Sequence, residues 1–168
     1  MEYDNTLPNR VAKCSTCQEN VQFNLRTVCF HRAYESRDKD QMGTMGWSNG
    51  AIITTMLTVR YPDLFKVAAP GAGDVNWTSD YGTCSFGVSF DEHYFGGAPW
   101  ADTNGQIYNE NYILKSPLFE IEKIKTPTII FHGSEDRAVP RDQGWEYYRG
   151  LQQVDKAPVR FLWFPGQP

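Results

Sequence analysis

The pentapeptide GWSNG, Gly46 to Gly50, fits the pattern G-x-S-x-G. In that pattern a serine occupies a sharp turn from a strand into a helix, and glycines two residues to either side let chain and helix pass closely. Ser48 is therefore the expected nucleophile. The backbone amide of Asn49, at the helix N-terminus, is the expected donor to an oxyanion. Acyl transfer by a serine also needs a base that takes its proton and an acid that orients the base. In the strand–turn–helix setting these follow in the order Ser, Asp or Glu, His. Asp136, in HGSEDRAVP, is the expected acid, with Glu135 and Asp142 as competing carboxylates. The histidines are His31, His93 and His132, and none follows Asp136. His132 stands four residues before the acid and is expected to hold its loop. His31 and His93 are out of order for a base.

These groups need elements to carry them. QMGTMG reads as a short strand entering the turn. A helix is predicted from Gly50 to Tyr61, with Ile52, Ile53, Met56, Leu57 and Arg60 as its inward stripe and Pro62 as its stop. A buried strand follows over Phe65 to Ala69. The segment from Gly71 to Asn111 is too long for an ordinary loop and is expected to be functional or to hold short helices. SPLFEIEKI reads as a short helix or turn, and Thr128 to His132 as a strong strand that delivers the acid loop. Pro140 opens a helix to about Val154, with Trp145, Tyr148 and Leu151 at its buried spacing. Val159 to Phe164 is the last strand. Such alternation predicts a mainly parallel sheet with helices on its faces. Residues 1–39 show no clean period, although VQFNLRTVCF has the composition of a strand.

Length and charge bound the function. The chain has 168 residues, enough for one domain with a sizeable core. A net charge of -4 and a pI near 5.3 leave no basic footprint for nucleic acid. The apolar run AIITTML is far short of the ~20 residues a membrane span needs. MEYDNT is not the start of a signal peptide. The compartment stays open. The four cysteines, Cys14, Cys17, Cys29 and Cys84, are too few for a disulfide scaffold. CSTC with Cys29 and His31 is a weak zinc candidate that lacks a second paired unit. No metal or cofactor is expected.

From about Asp40 onward the chain resembles the catalytic domain of the prolyl oligopeptidase family of serine peptidases. It is most similar to the branch that contains dipeptidyl peptidase IV and the acylaminoacyl peptidases. GWSNGAIITT, YPDLFKVAAPGAGDVNW, SPLFEIEKIKTPTIIFHGSEDRAVP and VRFLWFPGQP carry the resemblance. It implies an α/β-hydrolase fold, a mainly parallel sheet with helices on both faces, incomplete at both ends. It implies peptide hydrolysis through an acyl-enzyme, with Ser48 as nucleophile and Asp136 as acid. The family's histidine follows the last strand, which places it just after Pro168. Residues 1–168 alone are therefore expected to be inactive. Trp77 matches a pocket tryptophan of the family, and Phe90 and Tyr94 fall where one branch places two pocket tyrosines. The same aromatics could be plain core. Residues 1–39 do not match the family pattern, and 40–168 read as a partial catalytic domain. The implied partner is a peptide substrate, with homo-oligomers in full-length family members. An esterase or lipase on the same elbow, and a non-catalytic remnant or interaction module, are the alternatives.

Overall fold

The computed structural model describes residues 40–102, 105 and 107–168. Met42–Pro168 forms a compact unit. VQFNLRTVCF, His31 and the cysteines Cys14, Cys17 and Cys29 lie outside the described residues.

Four strands form one sheet in chain order: β1 (Gly43–Trp47), β2 (Val67–Gly71), β3 (Thr128–Gly133) and β4 (Val159–Phe164). All three pairings are parallel, with Trp47 opposite Gly71, Gly71 opposite Phe131 and Gly133 opposite Phe164. Parallel neighbours need long crossovers. Helix α1 (Asn49–Arg60) connects β1 to β2, and α5 (Arg141–Val154) connects β3 to β4. Between β2 and β3 the chain makes α2 (Trp77–Thr83), α3 (Gly87–Phe95), α4 (Asn111–Leu114) and a 3₁₀ turn over Pro117–Lys123. The segment expected to be functional or helical thus carries α2 and α3. The parallel sheet is as predicted, and β4 has the predicted bounds. Strand β2 begins two residues later than the pattern suggests, because Lys66 still bonds back to Met42 before the ladder starts.

Val59, Val75, Ile124, Ile130, Tyr147 and Leu151 form the main core. A second cluster, Trp77, Tyr81, Phe95 and Tyr112, is built from the β2–β3 excursion. Two helix faces differ from the predicted ones. Helix α1 buries Ala51, Thr54, Thr55, Thr58 and Val59, while Ile52, Ile53, Met56 and Leu57 are only half-buried. Threonine can face the core here because each hydroxyl returns to the helix backbone. Thr54 donates to Gly50 O at 2.8 Å, Thr55 to Ala51 O at 3.0 Å and Thr58 to Thr55 O at 2.7 Å. Helix α5 buries Gln143, Gly144, Tyr147 and Leu151. Trp145 instead stays 36% exposed and packs edge-on against Phe161, 4.9 Å between centroids. Gly144 takes the inward place because a Cβ there would come within 2.7 Å of His132 Nδ1.

Candidate active site

Ser48 stands between β1 and α1 with φ 54° and ψ -124°. A non-glycine residue in that region costs about 1–3 kcal/mol and persists only where its surroundings fix it. Three backbone bonds do so. Ser48 N donates to Gly71 O at 2.9 Å, and Ser48 O accepts from Ala51 N at 2.8 Å and Ile52 N at 3.2 Å. A Cβ on Gly46 would lie 2.2 Å from Gly50 O, so only glycine fits there. A Cβ on Gly50 would meet nothing within 4 Å. The close approach is therefore Gly46 against the Gly50 backbone. Ser48 is exposed at the C-terminal end of β1. As the first residue of α1, Asn49 has an amide with no intrahelical acceptor.

Asp136 lies three residues beyond β3, at the same end of the sheet. Its side chain is 11% exposed. Oδ1 accepts from the amides of Ala138 and Val139, both at 2.9 Å, which closes the loop around the carboxylate. Glu135 and Asp142 are exposed. His132 is fully buried in β3, its Nε2 3.0 Å from Val139 O and 3.9 Å from Asp136 Oδ2. The bond to a carbonyl fixes Nε2 as the protonated nitrogen, so His132 braces the loop that Asp136 closes. The chain after β4 returns across this loop. Glu135 N donates to Gln167 O at 2.9 Å, and Gly166 N donates to Ser134 Oγ at 2.8 Å.

Beside the serine is a groove of about 400 Å³. Asn49, Ile52 and Ile53 of α1 line it together with Trp77, Phe90, Tyr94 and Phe95, and Lys115 stands at the end of α4. Trp77 is stacked on Phe90 at 6.4 Å, and Phe90 meets Tyr94 at 4.8 Å. Trp77 is buried and Tyr94 is 59% exposed, so the wall grades from core to rim. His93 is exposed on α3, edge-on to Tyr94.

Asp74, just before α2, Asp80 of α2 and Asp91 of α3 are three buried carboxyls. Asp91 is 0% exposed and neither of its oxygens has a partner. Burial, then the charge of Asp80, pushes Asp91 up to about 7. Burial and the neighbouring carboxyls also raise Asp80 and Asp74 well above the usual carboxylate range. Among the described residues, no three His, Cys, Asp or Glu side chains are grouped to hold a metal, and no helix is long and apolar enough to cross a membrane.

A strained serine on a strand-to-helix turn, an acid loop at the same sheet edge and an adjoining apolar groove suit several hydrolases. Comparison with known proteins separates them. The prolyl oligopeptidase family matches residues 29–168. This chain belongs to that family. The acylamino-acid-releasing enzyme of Rattus norvegicus is 29% identical to it over 155 residues, 88% of this chain and 20% of the relative. That of Arabidopsis thaliana is 31% identical over 134 residues, 76% of this chain and 17% of the relative. The chain spans about a fifth of the length of these curated relatives. Solved structures agree. Pyrococcus horikoshii acylaminoacyl peptidase superimposes with a TM-score of 0.70 at 27% identity, over 83% of this chain and 21% of that one. An acylaminoacyl peptidase in complex with Z-Gly-Gly-Phe-chloromethyl ketone gives 0.69 at 30% identity, over 80% and 21%. The fold is that of the α/β-hydrolases.

For a member of the prolyl oligopeptidase family, the predicted residues fall into three places: the elbow, the groove and the acid loop. Ser48, Asn49, Gly46 and Gly50 form the elbow, and Trp77, Phe90 and Tyr94 share one groove beside it. Asp136 is reached through the adjoining strand ends, since Ala72 N bonds Phe131 O just beyond the Ser48–Gly71 bond. Sequence reasoning missed the GAG stretch, Gly71 to Gly73, at the end of β2. A Cβ on Gly71 would lie 2.2 Å from the Trp47 ring, a Cβ on Gly73 2.5 Å from Ala51 Cβ, and Ala72 between them has φ 47°. Two small residues flanking an alanine were the available signal. It also missed Gln143, fully buried in α5. Its Oε1 accepts from Val75 N and Asn76 N, both at 2.9 Å, and its Nε2 donates to Ser79 Oγ at 2.8 Å. Nothing in a polar residue on an amphipathic helix marks it as an inward anchor.

Proposed function

We propose that this chain is the catalytic part of a serine peptidase that hydrolyses peptide bonds through an acyl-enzyme, of the dipeptidyl or oligopeptidase kind. The strained, exposed Ser48 beside an aromatic groove is the observation that carries the reading. In the first step Ser48 Oγ attacks the substrate carbonyl carbon and gives its proton to a histidine base. Negative charge develops on the carbonyl oxygen, where the Asn49 amide stabilises it. Collapse breaks the C–N bond, and the departing amine takes the proton from the base. Water then repeats the sequence on the ester. Asp136 orients the base and stabilises its charge. Trp77, Phe90 and Tyr94 hold a substrate side chain.

Neither described histidine suits the base. His132 is buried with Nε2 committed to Val139 O, and His93 lies on the outer side of α3. Loss of a triad base costs up to about six powers of ten in kcat. His31 precedes the serine and is out of order for a base, so residues 1–168 by themselves are expected to turn over very slowly. The test adds imidazole as an external base and compares an acetyl-phenylalanine p-nitroanilide with a p-nitrophenyl ester. Rescue of anilide cleavage that Ser48→Ala abolishes is the expected result. Ester cleavage without any anilide cleavage would make the domain an esterase instead.

A further inference from the structure

The groove beside Ser48 has walls of hydrocarbon and aromatic rings. Among its described lining residues, Lys115 alone carries a formal charge. That ammonium is held in place. Lys115 Nζ donates to Tyr94 O at 3.3 Å and lies 5.1 Å from the centroid of the Phe95 ring. Tyr94 and Phe95 end α3, so the cation sits where the helix dipole is negative. At its other end, the Lys115 carbonyl accepts the indole N–H of Trp77 at 3.1 Å. Lys115 is thus fastened to two aromatic walls of the groove. The carboxylates of α3 do not neutralise it from within. Glu92 accepts from the Tyr81 hydroxyl at 2.8 Å, Asp91 is buried, and neither lines the groove.

An aromatic slot by itself attracts cations through the faces of its rings. Here the face of Phe95 already holds one. A second cation entering the slot would leave water and meet a like charge. We propose that Lys115 is a specificity-determining residue of this groove: it excludes positively charged substrate side chains and favours neutral and anionic ones. The inference rests on the reading of the groove as the substrate side-chain pocket. At an exposed rim each such charge contact is worth up to about fivefold in affinity.

Binding rather than turnover tests it, on the full chain. The amides of N-acetyl-norleucine, N-acetyl-glutamate and N-acetyl-arginine are titrated, with the Trp77 indole N–H resonance as the readout. The wild type is expected to bind the norleucine and glutamate compounds and to bind the arginine compound most weakly. Lys115→Met should raise affinity for the arginine compound by about fivefold, lower that for the glutamate compound similarly, and leave norleucine within about twofold. Lys115→Arg should keep the wild-type order. If Lys115→Met does not fold, high salt on the wild type serves instead and should narrow the glutamate–arginine gap. Equal shifts for all three ligands would make Lys115 merely structural and overturn the proposal, as would no shift at all. If the norleucine compound leaves the Trp77 resonance unmoved in the wild type, the pocket reading itself fails and takes this inference with it.

Discussion

The backbone amide of Ser48 donates to the carbonyl of Gly71 at 2.9 Å. This bond ties the nucleophile's turn to the end of the neighbouring strand, so the strained backbone at Ser48 is set by the sheet. One strand further on, Ala72 N bonds Phe131 O, and the acid loop starts just beyond.

The two elbow glycines should respond differently to substitution. Gly46→Ala puts a Cβ 2.2 Å from Gly50 O, a backbone atom inside α1 that cannot move aside cheaply. A loss of about 3 kcal/mol or failure to fold is expected. Gly50→Ala meets nothing within 4 Å and should be neutral or stabilising by up to about 1 kcal/mol. Urea unfolding of both variants measures the contrast.

At the acid loop, Asp136→Ala removes the acceptor of two amide hydrogens and should cost about 1–3 kcal/mol. Asp136→Asn keeps an oxygen acceptor and should cost less. Glu135→Gln, on an exposed side chain, should stay within about 0.5 kcal/mol. Thermal unfolding of the three variants reads this order.

The buried carboxyls give stability a pH dependence of known sign. The folded pKa of Asp91 is raised from 3.8 to about 7, so the fold binds more protons than the unfolded chain between those values. The contribution is full below 3.8 and is lost as pH rises through about 7. Asp74 and Asp80 shift in the same direction. The melting temperature should therefore fall from pH 5 to pH 8.5. Asp91→Asn should flatten that fall and melt above the wild type at the alkaline end. A wild-type melting temperature that rises over the same interval would contradict the account.

Gln143→Leu strands the amides of Val75 and Asn76 in a buried place. A loss of about 2–4 kcal/mol is expected, with the groove residue Trp77 loosened as well. Urea unfolding and the Trp77 indole resonance report the two effects separately.

Much of this arrangement was legible in the sequence because local patterns carry it. The elbow shows in five residues, and the strand Val159 to Phe164 is a mainly apolar run that breaks at Pro165 and Gly166. The faces of α1 and α5 were not legible. Threonines 54, 55 and 58 hide their hydroxyls in their own helix, and no hydropathy pattern records that. Gly144 faces inward because His132 and Phe161 fill the space opposite, a fact of tertiary contact alone. The groove was legible only as a set of aromatics. Its charged rim, Lys115, comes from a different element that the chain order does not connect to them.

Every proposed step depends on Ser48 as the nucleophile. A fluorophosphonate probe followed by mass spectrometry of the labelled peptide tests it most directly. The probe should attach at Ser48, faster when imidazole is present, and not at all to Ser48→Ala. Equal labelling of the wild type and Ser48→Ala, or attachment at another serine, would contradict the account.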